Sequence, residues 1–191
     1  MDSSIADSLN NIALLYTEQL RLKEAEGLYN QALRIYKLST GHDSLHVAAV
    51  ISNLAGCLGK NGQLQEAEVM YKEALRIKEL HCGHESLDVA AELSNTAAAV
   101  CDLGRWVEGE SLYKEALRIR ELLLGRESME VGASLKQLAC LYALKDRAEE
   151  AEALYQEALR ISELKLGPHH PSTVELRHCL KEIHPPPLSD L

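Results

Sequence analysis

The sequence has no phenylalanine and one tryptophan in 191 residues, and aromatic residues of all kinds reach only 4%. Proline stops at 5, three of them adjacent at Pro185, Pro186 and Pro187, and glycine stops at 11. A turn-rich β-sandwich needs more aromatic and β-branched residues and more chain breakers, so that class is set aside. A cationic excess is also missing. Lys and Arg total 20 against 29 Asp and Glu, a net charge of -9. That balance argues against a chain built to grip nucleic acid or an anionic membrane. No run approaches 18 uninterrupted apolar residues, so no membrane span is expected. The start Met1-Asp2-Ser3-Ser4 lacks the basic and apolar regions of a signal peptide. The cysteines, Cys57, Cys82, Cys101, Cys140 and Cys179, are odd in number and form no C-x-x-C pair. They read as small apolar residues in a reducing compartment, and the cytoplasm is the expected location. No G-x-G-x-x-G, P-loop, H-E-x-x-H or nucleophile motif is present. No catalytic residue, metal site or cofactor is therefore expected, and the chain is read as a non-enzyme.

What the sequence does contain is a repeat. Ala-Leu-Arg-Ile begins at Ala32, Ala74, Ala116 and Ala158, a step of 42 residues. Tyr29, Tyr71, Tyr113 and Tyr155 keep the same step, as do Gly41, Gly83, Gly125 and Gly167. The register gives four units, 2–43, 44–85, 86–127 and 128–169, then a partial fifth at 170–184 and a proline-rich tail at 185–191. No linker interrupts the run, so one continuous array is expected.

Each unit reads as two helices. In the second, Ser44 is placed to cap a first helix, and Asp88 and Glu130 put an acid in the first turn of its counterparts. Val47, Ile51, Leu54, Ala55 and Leu58 fall on one helical face. Lys60-Asn61-Gly62 is a stop signal. A second helix follows, with Leu64, Ala67, Tyr71, Ala74, Leu75 and Leu80 assigned to its seam. The partial unit reads as a cap: His170-Pro171 opens a helix, Leu176, Leu180 and Ile183 keep an apolar seam, and its other face is polar. His81-Cys82-Gly83-His84 lies where the other units carry Thr40, Leu124 and Pro168, so it reads as a helix-end loop rather than a metal site.

These residues resemble the tetratricopeptide repeat. The first unit carries the pattern as Leu9, Ile12, Ala13, Tyr16, Ala25, Tyr29 and Ala32, and the fourth as Leu135, Leu138, Ala139, Tyr142, Ala151, Tyr155 and Ala158. The 42-residue period and the Leu-Gly-Pro-His-His-Pro junction are similar to the longer subtype of kinesin light chains and nephrocystin-like proteins. The resemblance implies an all-α fold, a right-handed α-α superhelix of four helical hairpins with a C-terminal capping helix. Some positions depart from the pattern. Thr96 replaces a Leu and Gly109 an Ala, which predicts local softening of the third unit with Trp106 filling some of the space. Leu20 and Asp146 stand where the middle units have the turn glycines Gly62 and Gly104. The proline that ends the second helix of the shorter repeat is replaced by Lys37, Glu79, Glu121 and Glu163, so that helix is expected to run on by about two turns.

Opposite the core seam of the first helices lies a second row. It holds Asp7, Asn11, Leu14 and Glu18; Ala49, Asn53, Gly56 and Lys60; Ala91, Asn95, Ala98 and Asp102; and Ala133, Gln137, Cys140 and Leu144, with Lys136 beside it. The resemblance implies that first helices line a concave groove, which makes this row the candidate peptide-binding surface. Its amides can both donate to and accept from a ligand backbone, and its small residues leave room for approach. Three mid-helix asparagines each weaken the helix by several tenths of a kcal/mol relative to alanine. Family members that clamp an acidic tail carry Lys or Arg at such positions, and Ala49, Asn53, Ala91 and Asn95 are not basic. The expected partner is a protein, presented as a peptide or helix, neutral or mildly basic rather than strongly acidic. The expected role is a noncatalytic interaction scaffold. The alternatives are self-association through the terminal units, giving a homo-oligomer, or a regulatory segment of a larger, possibly enzymatic protein.

Overall fold

The computed structural model describes residues 3–183. The proline-rich tail expected at 185–191 lies outside the described residues. Within them are nine helices and no strand: α1 Ser3–Glu18, α2 Leu22–Thr40, α3 Leu45–Lys60, α4 Leu64–Cys82, α5 Leu87–Asp102, α6 Trp106–Leu124, α7 Met129–Leu144, α8 Ala148–Leu166 and α9 Pro171–Ile183. The helices α1, α3, α5 and α7 have 16 residues each, and α2, α4, α6 and α8 have 19 each.

Local chemistry sets the boundaries. The Ser44, Ser86 and Ser128 hydroxyls accept the backbone N–H of Val47, Val89 and Val131, satisfying a donor the helix leaves open. Each second helix runs three residues past Lys37, Glu79, Glu121 or Glu163, one turn rather than the two expected. Gly41, Gly83, Gly125 and Gly167 halt it there with positive φ.

The chain divides into two compact units with the boundary at Gly109/Glu110, inside α6. In the first, α1 packs on α2, α2 on α3, α3 on α4 and α4 on α5. In the second, α7 packs on α8 and α8 on α9. Alanines sit at the crossings, with Ala13, Ala25, Ala55, Ala67, Ala97, Ala139 and Ala151 at or near zero exposure, so paired backbones approach closely. Val47, Ile51, Leu54, Ala55 and Leu58 are all buried on α3. On α1 the counterparts Ile5 and Ile12 are exposed, as is Leu15, whose counterpart Cys57 is buried.

Two packing expectations need correction. Leu80 is 66% exposed, while Ile77 is fully buried in the α4 seam. From Ala74 the helical repeat returns to the same face near residue 77, not 80. Trp106 does not fill the space at Gly109, being 38% exposed. Cys101 fills it: a Cβ on Gly109 would meet the Cys101 sulfur at 2.1 Å.

Candidate functional site

The first helices carry every candidate residue. Asp7 and Asn11 lie on α1, Ala49, Asn53, Gly56 and Lys60 on α3, Ala91, Asn95, Ala98 and Asp102 on α5, and Lys136 and Gln137 on α7. Asn53, Gly56 and Lys136 are half-buried, and the others are exposed. Asp7 accepts a hydrogen bond from the Tyr36 hydroxyl. Burial, and next that bond, push the Tyr36 hydroxyl up to about 12. Lys136 is paired with Glu175 of α9 at 2.6 Å.

The amides also tie neighbouring first helices together. Asn53 donates to the Asn10 side-chain carbonyl at 3.0 Å, and Asn95 donates to the Ser52 hydroxyl at 3.5 Å. Each bond uses one of the two N–H groups of a primary amide.

Five candidates converge. Gly56, Lys60, Asn95, Ala98 and Asp102 line one open cavity of about 180 Å³ in the first unit, with Tyr71 of α4 beside them. Gly56 keeps it open, since a Cβ there would stand 3.1 Å from the Tyr71 hydroxyl. Burial first, then the negative charges of Glu92 and Asp102, push that hydroxyl up to about 12, so at neutral pH it is a donor and acceptor with its proton in place. Lys60 and Asp102 bring both signs of charge to the same cavity.

Two members of this neighbourhood escape a reading of the sequence alone. Tyr71 reads there as a seam residue, although the 42-residue tyrosine step opposite a glycine is a visible signal. Glu92 is fully buried on α5, where α3 has Val50 and α7 has Ser134. Its carboxylate accepts from the Ser52 hydroxyl at 3.0 Å and from the Lys78 ammonium at 2.5 Å. Asn95, Ser52, Glu92 and Lys78 thus form a hydrogen-bonded chain from the exposed row into the packing.

The recurring arginines have a different task. Arg76 grips Glu73 at 2.8 Å and Asp43, and Arg160 grips Glu157 at 2.8 Å and Glu127 at 3.0 Å. Each ties a second helix to the loop before its own unit. In the helix-end turn, His84 sits 2.9 Å from Glu79, and no group of three His, Cys, Asp or Glu among the described residues could hold a metal ion. No helix among them is long and apolar enough to cross a membrane.

Paired helices of two fixed lengths, alanine crossings and a repeated exposed row define an all-α helical-repeat protein. The tetratricopeptide repeat profile matches residues 4–79 and 88–164, and the chain belongs to the tetratricopeptide repeat family. Solved structures agree on the fold. BtubC (BKLC) from P. vanneervenii superposes with a TM-score of 0.82 at 24% identity, over 95% of this chain and 72% of that one. A candidate kinesin light chain from Podosopora anserina, with nearly identical TPR-like repeats, gives 0.80 at 24% over 95% and 86%. A second structure of that protein gives 0.81 at 24% over 96% and 87%. No curated protein matches the sequence. The fold is therefore the all-α tetratricopeptide-repeat superhelix, and its repeats indicate a protein–protein interaction scaffold with protein partners.

Proposed function

We propose that the chain is a noncatalytic scaffold that holds a peptide or partner helix along the first-helix row, and that the partner is neutral or mildly basic. The observation that carries this reading is the cavity at Tyr71, where a hydroxyl, the Asn95 amide and the gap at Gly56 meet on an open face. Such a pocket takes one side chain of a ligand, and the amides of Asn11, Asn53 and Gln137 offer donors and acceptors to its backbone. Asp7 and Asp102 set the electrostatic preference, and Lys60 and Lys136 moderate it. An odd number of cysteines with no C-x-x-C pair fits a reducing compartment such as the cytoplasm.

A peptide array with neutral, basic and acidic members tests this against an Asn53→Ala/Asn95→Ala double variant. Neutral or basic peptides should bind, and the double variant should weaken them about ten-fold, as expected for two hydrogen bonds near 0.7 kcal/mol each. A strong, salt-sensitive acidic binder, or affinity indifferent to both amides, would sink the proposal.

A second reading rests on Ile5, Ile12 and Leu15, which α1 leaves exposed. These would be the contact of a self-associating assembly. Light scattering after size exclusion separates the two readings: a dimer abolished by Ile5→Glu favours assembly.

A further inference from the structure

In the second compact unit, two positions of the exposed row are thiols. Cys140 on α7 holds the position of Gly56 on α3, and Cys179 on α9 holds that of Asn95 on α5. Tyr155 of α8 holds the position of Tyr71. The cavity recurs as well: about 260 Å³ of open space is lined by Tyr155, Cys179, Ala143, Asp146 and Glu182. The Cys140 sulfur lies 3.0 Å from the Tyr155 hydroxyl, and Cys179 lines the same cavity as Tyr155. Both thiols are reduced and half-buried. Tyr155 thus has a thiol-bearing helix on each side: Cys140 of α7 touches its hydroxyl, and Cys179 of α9 stands on the wall of the same cavity.

We propose that Cys140 and Cys179 are an oxidisable dithiol, closed to a disulfide across this cavity by exchange with a small-molecule disulfide of the glutathione class. Cys179, which lines the cavity, attacks one sulfur of the reagent as its thiolate. The reagent's S–S bond breaks, one small thiolate leaves, and a mixed disulfide remains on Cys179. The Cys140 thiolate then attacks the Cys179 sulfur, expels the second small thiolate and forms the intramolecular bond. Two protein thiols are oxidised, one small disulfide is reduced to two small thiols, and the two protein protons end on them. A disulfide sulfur pair sits at about 2.05 Å, so the Cys140 sulfur gives up its contact with the Tyr155 hydroxyl as the bond closes. The new bond joins α9 directly to α7, adding to the 2.7 Å Ser162–Thr173 contact and the buried Leu176. Burial pushes the Cys179 thiol up, so exchange is slow at neutral pH and faster above it. The dithiol belongs to the chain itself and stands whether or not the row binds a peptide.

The test uses the whole chain at about pH 8.5, near an ordinary thiol pKa, with oxidised glutathione as the probe. Remaining thiols are then alkylated and the digest is read by mass spectrometry. The expected product has two fewer alkylated cysteines, a Cys140–Cys179 cross-linked peptide and a raised Tm, all reversed by dithiothreitol. Tyr155→Phe removes the hydroxyl that holds the Cys140 sulfur and should raise the cross-linking rate several-fold. Cys140→Ser, checked for folding by circular dichroism, should stop at glutathionylated Cys179. Five alkylated cysteines in the oxidised wild type, a stable mixed disulfide with Cys140 still free, or a cross-link between another pair would each overturn the proposal.

Discussion

The Lys78 ammonium on α4 lies 2.5 Å from a carboxylate oxygen of Glu92 on α5, and the Glu92 side chain has no exposed surface. Removing one partner of such a pair leaves a buried charge without compensation, which is far worse than removing both. Lys78→Leu should lower stability by about 3 kcal/mol, the small end for a buried pair because Lys78 keeps some exposure. Adding Glu92→Val, the residue type α3 carries at that position, should recover most of it. Urea unfolding of both variants reads this directly; equal loss in the single and double variants would show that the pair is not the source.

Cys101 and Gly109 form a complementary pair across the helix crossing. Gly109→Ala should destabilise by about 1–3 kcal/mol, since the new methyl meets the Cys101 sulfur and lies 3.2 Å from the Ala97 carbonyl. Cys101→Gly in the same chain recreates the arrangement of Gly59 and Ala67, where a Cβ on Gly59 would stand 3.9 Å from that of Ala67. A double-mutant cycle should show favourable coupling of the two changes.

Leu20 holds φ at +60° in the turn between α1 and α2, where the next two units use glycine. A leucine there is strained by about 1–2 kcal/mol. Leu20→Gly should therefore raise stability by about 1 kcal/mol. Asp146→Gly, at φ +57°, should gain less because aspartate tolerates this region better. Thermal melts rank the two, and the reverse order would contradict the assignment of strain.

Glu110 is a hub of the second unit. It meets Lys114 at 2.7 Å, Arg147 at 2.9 Å, Tyr142 at 3.1 Å and Lys145 at 3.3 Å. The Lys114 bond above all, opposed by burial and aided by Tyr142 and Lys145, holds its carboxyl down at about 2, from an ordinary 4.5. A depressed acid contributes stability that is present above the unfolded pKa and lost as pH falls through the folded one. The contribution, roughly 3 kcal/mol at most, should disappear between about pH 4.5 and pH 2. Glu110→Gln should flatten that part of the stability–pH curve, as acid titration of unfolding would reveal.

The parts legible in advance are those written along a single helix. Ser44, Ser86 and Ser128 as caps, the alanine crossings and the row of Asn11, Asn53, Asn95 and Gln137 all follow from spacing within one segment. The cavity is half legible: Gly56, Lys60, Asn95, Ala98 and Asp102 stand out along their own helices, but their meeting at Tyr71 depends on how α3, α4 and α5 pack. Leu80 misleads because several leucines lie within reach of the seam on a helix rich in them.

The repeated period by itself determined the family, the helix pairs and their start points, because amphipathic spacing and capping are properties of consecutive residues. Tertiary structure alone decided that a cysteine rather than a tryptophan completes Gly109, that Glu92 goes inward to Lys78, and that Cys140 and Cys179 share one tyrosine. Each is a match of volume, charge or distance between residues on different helices, and one helix's periodicity does not specify which side chain faces it.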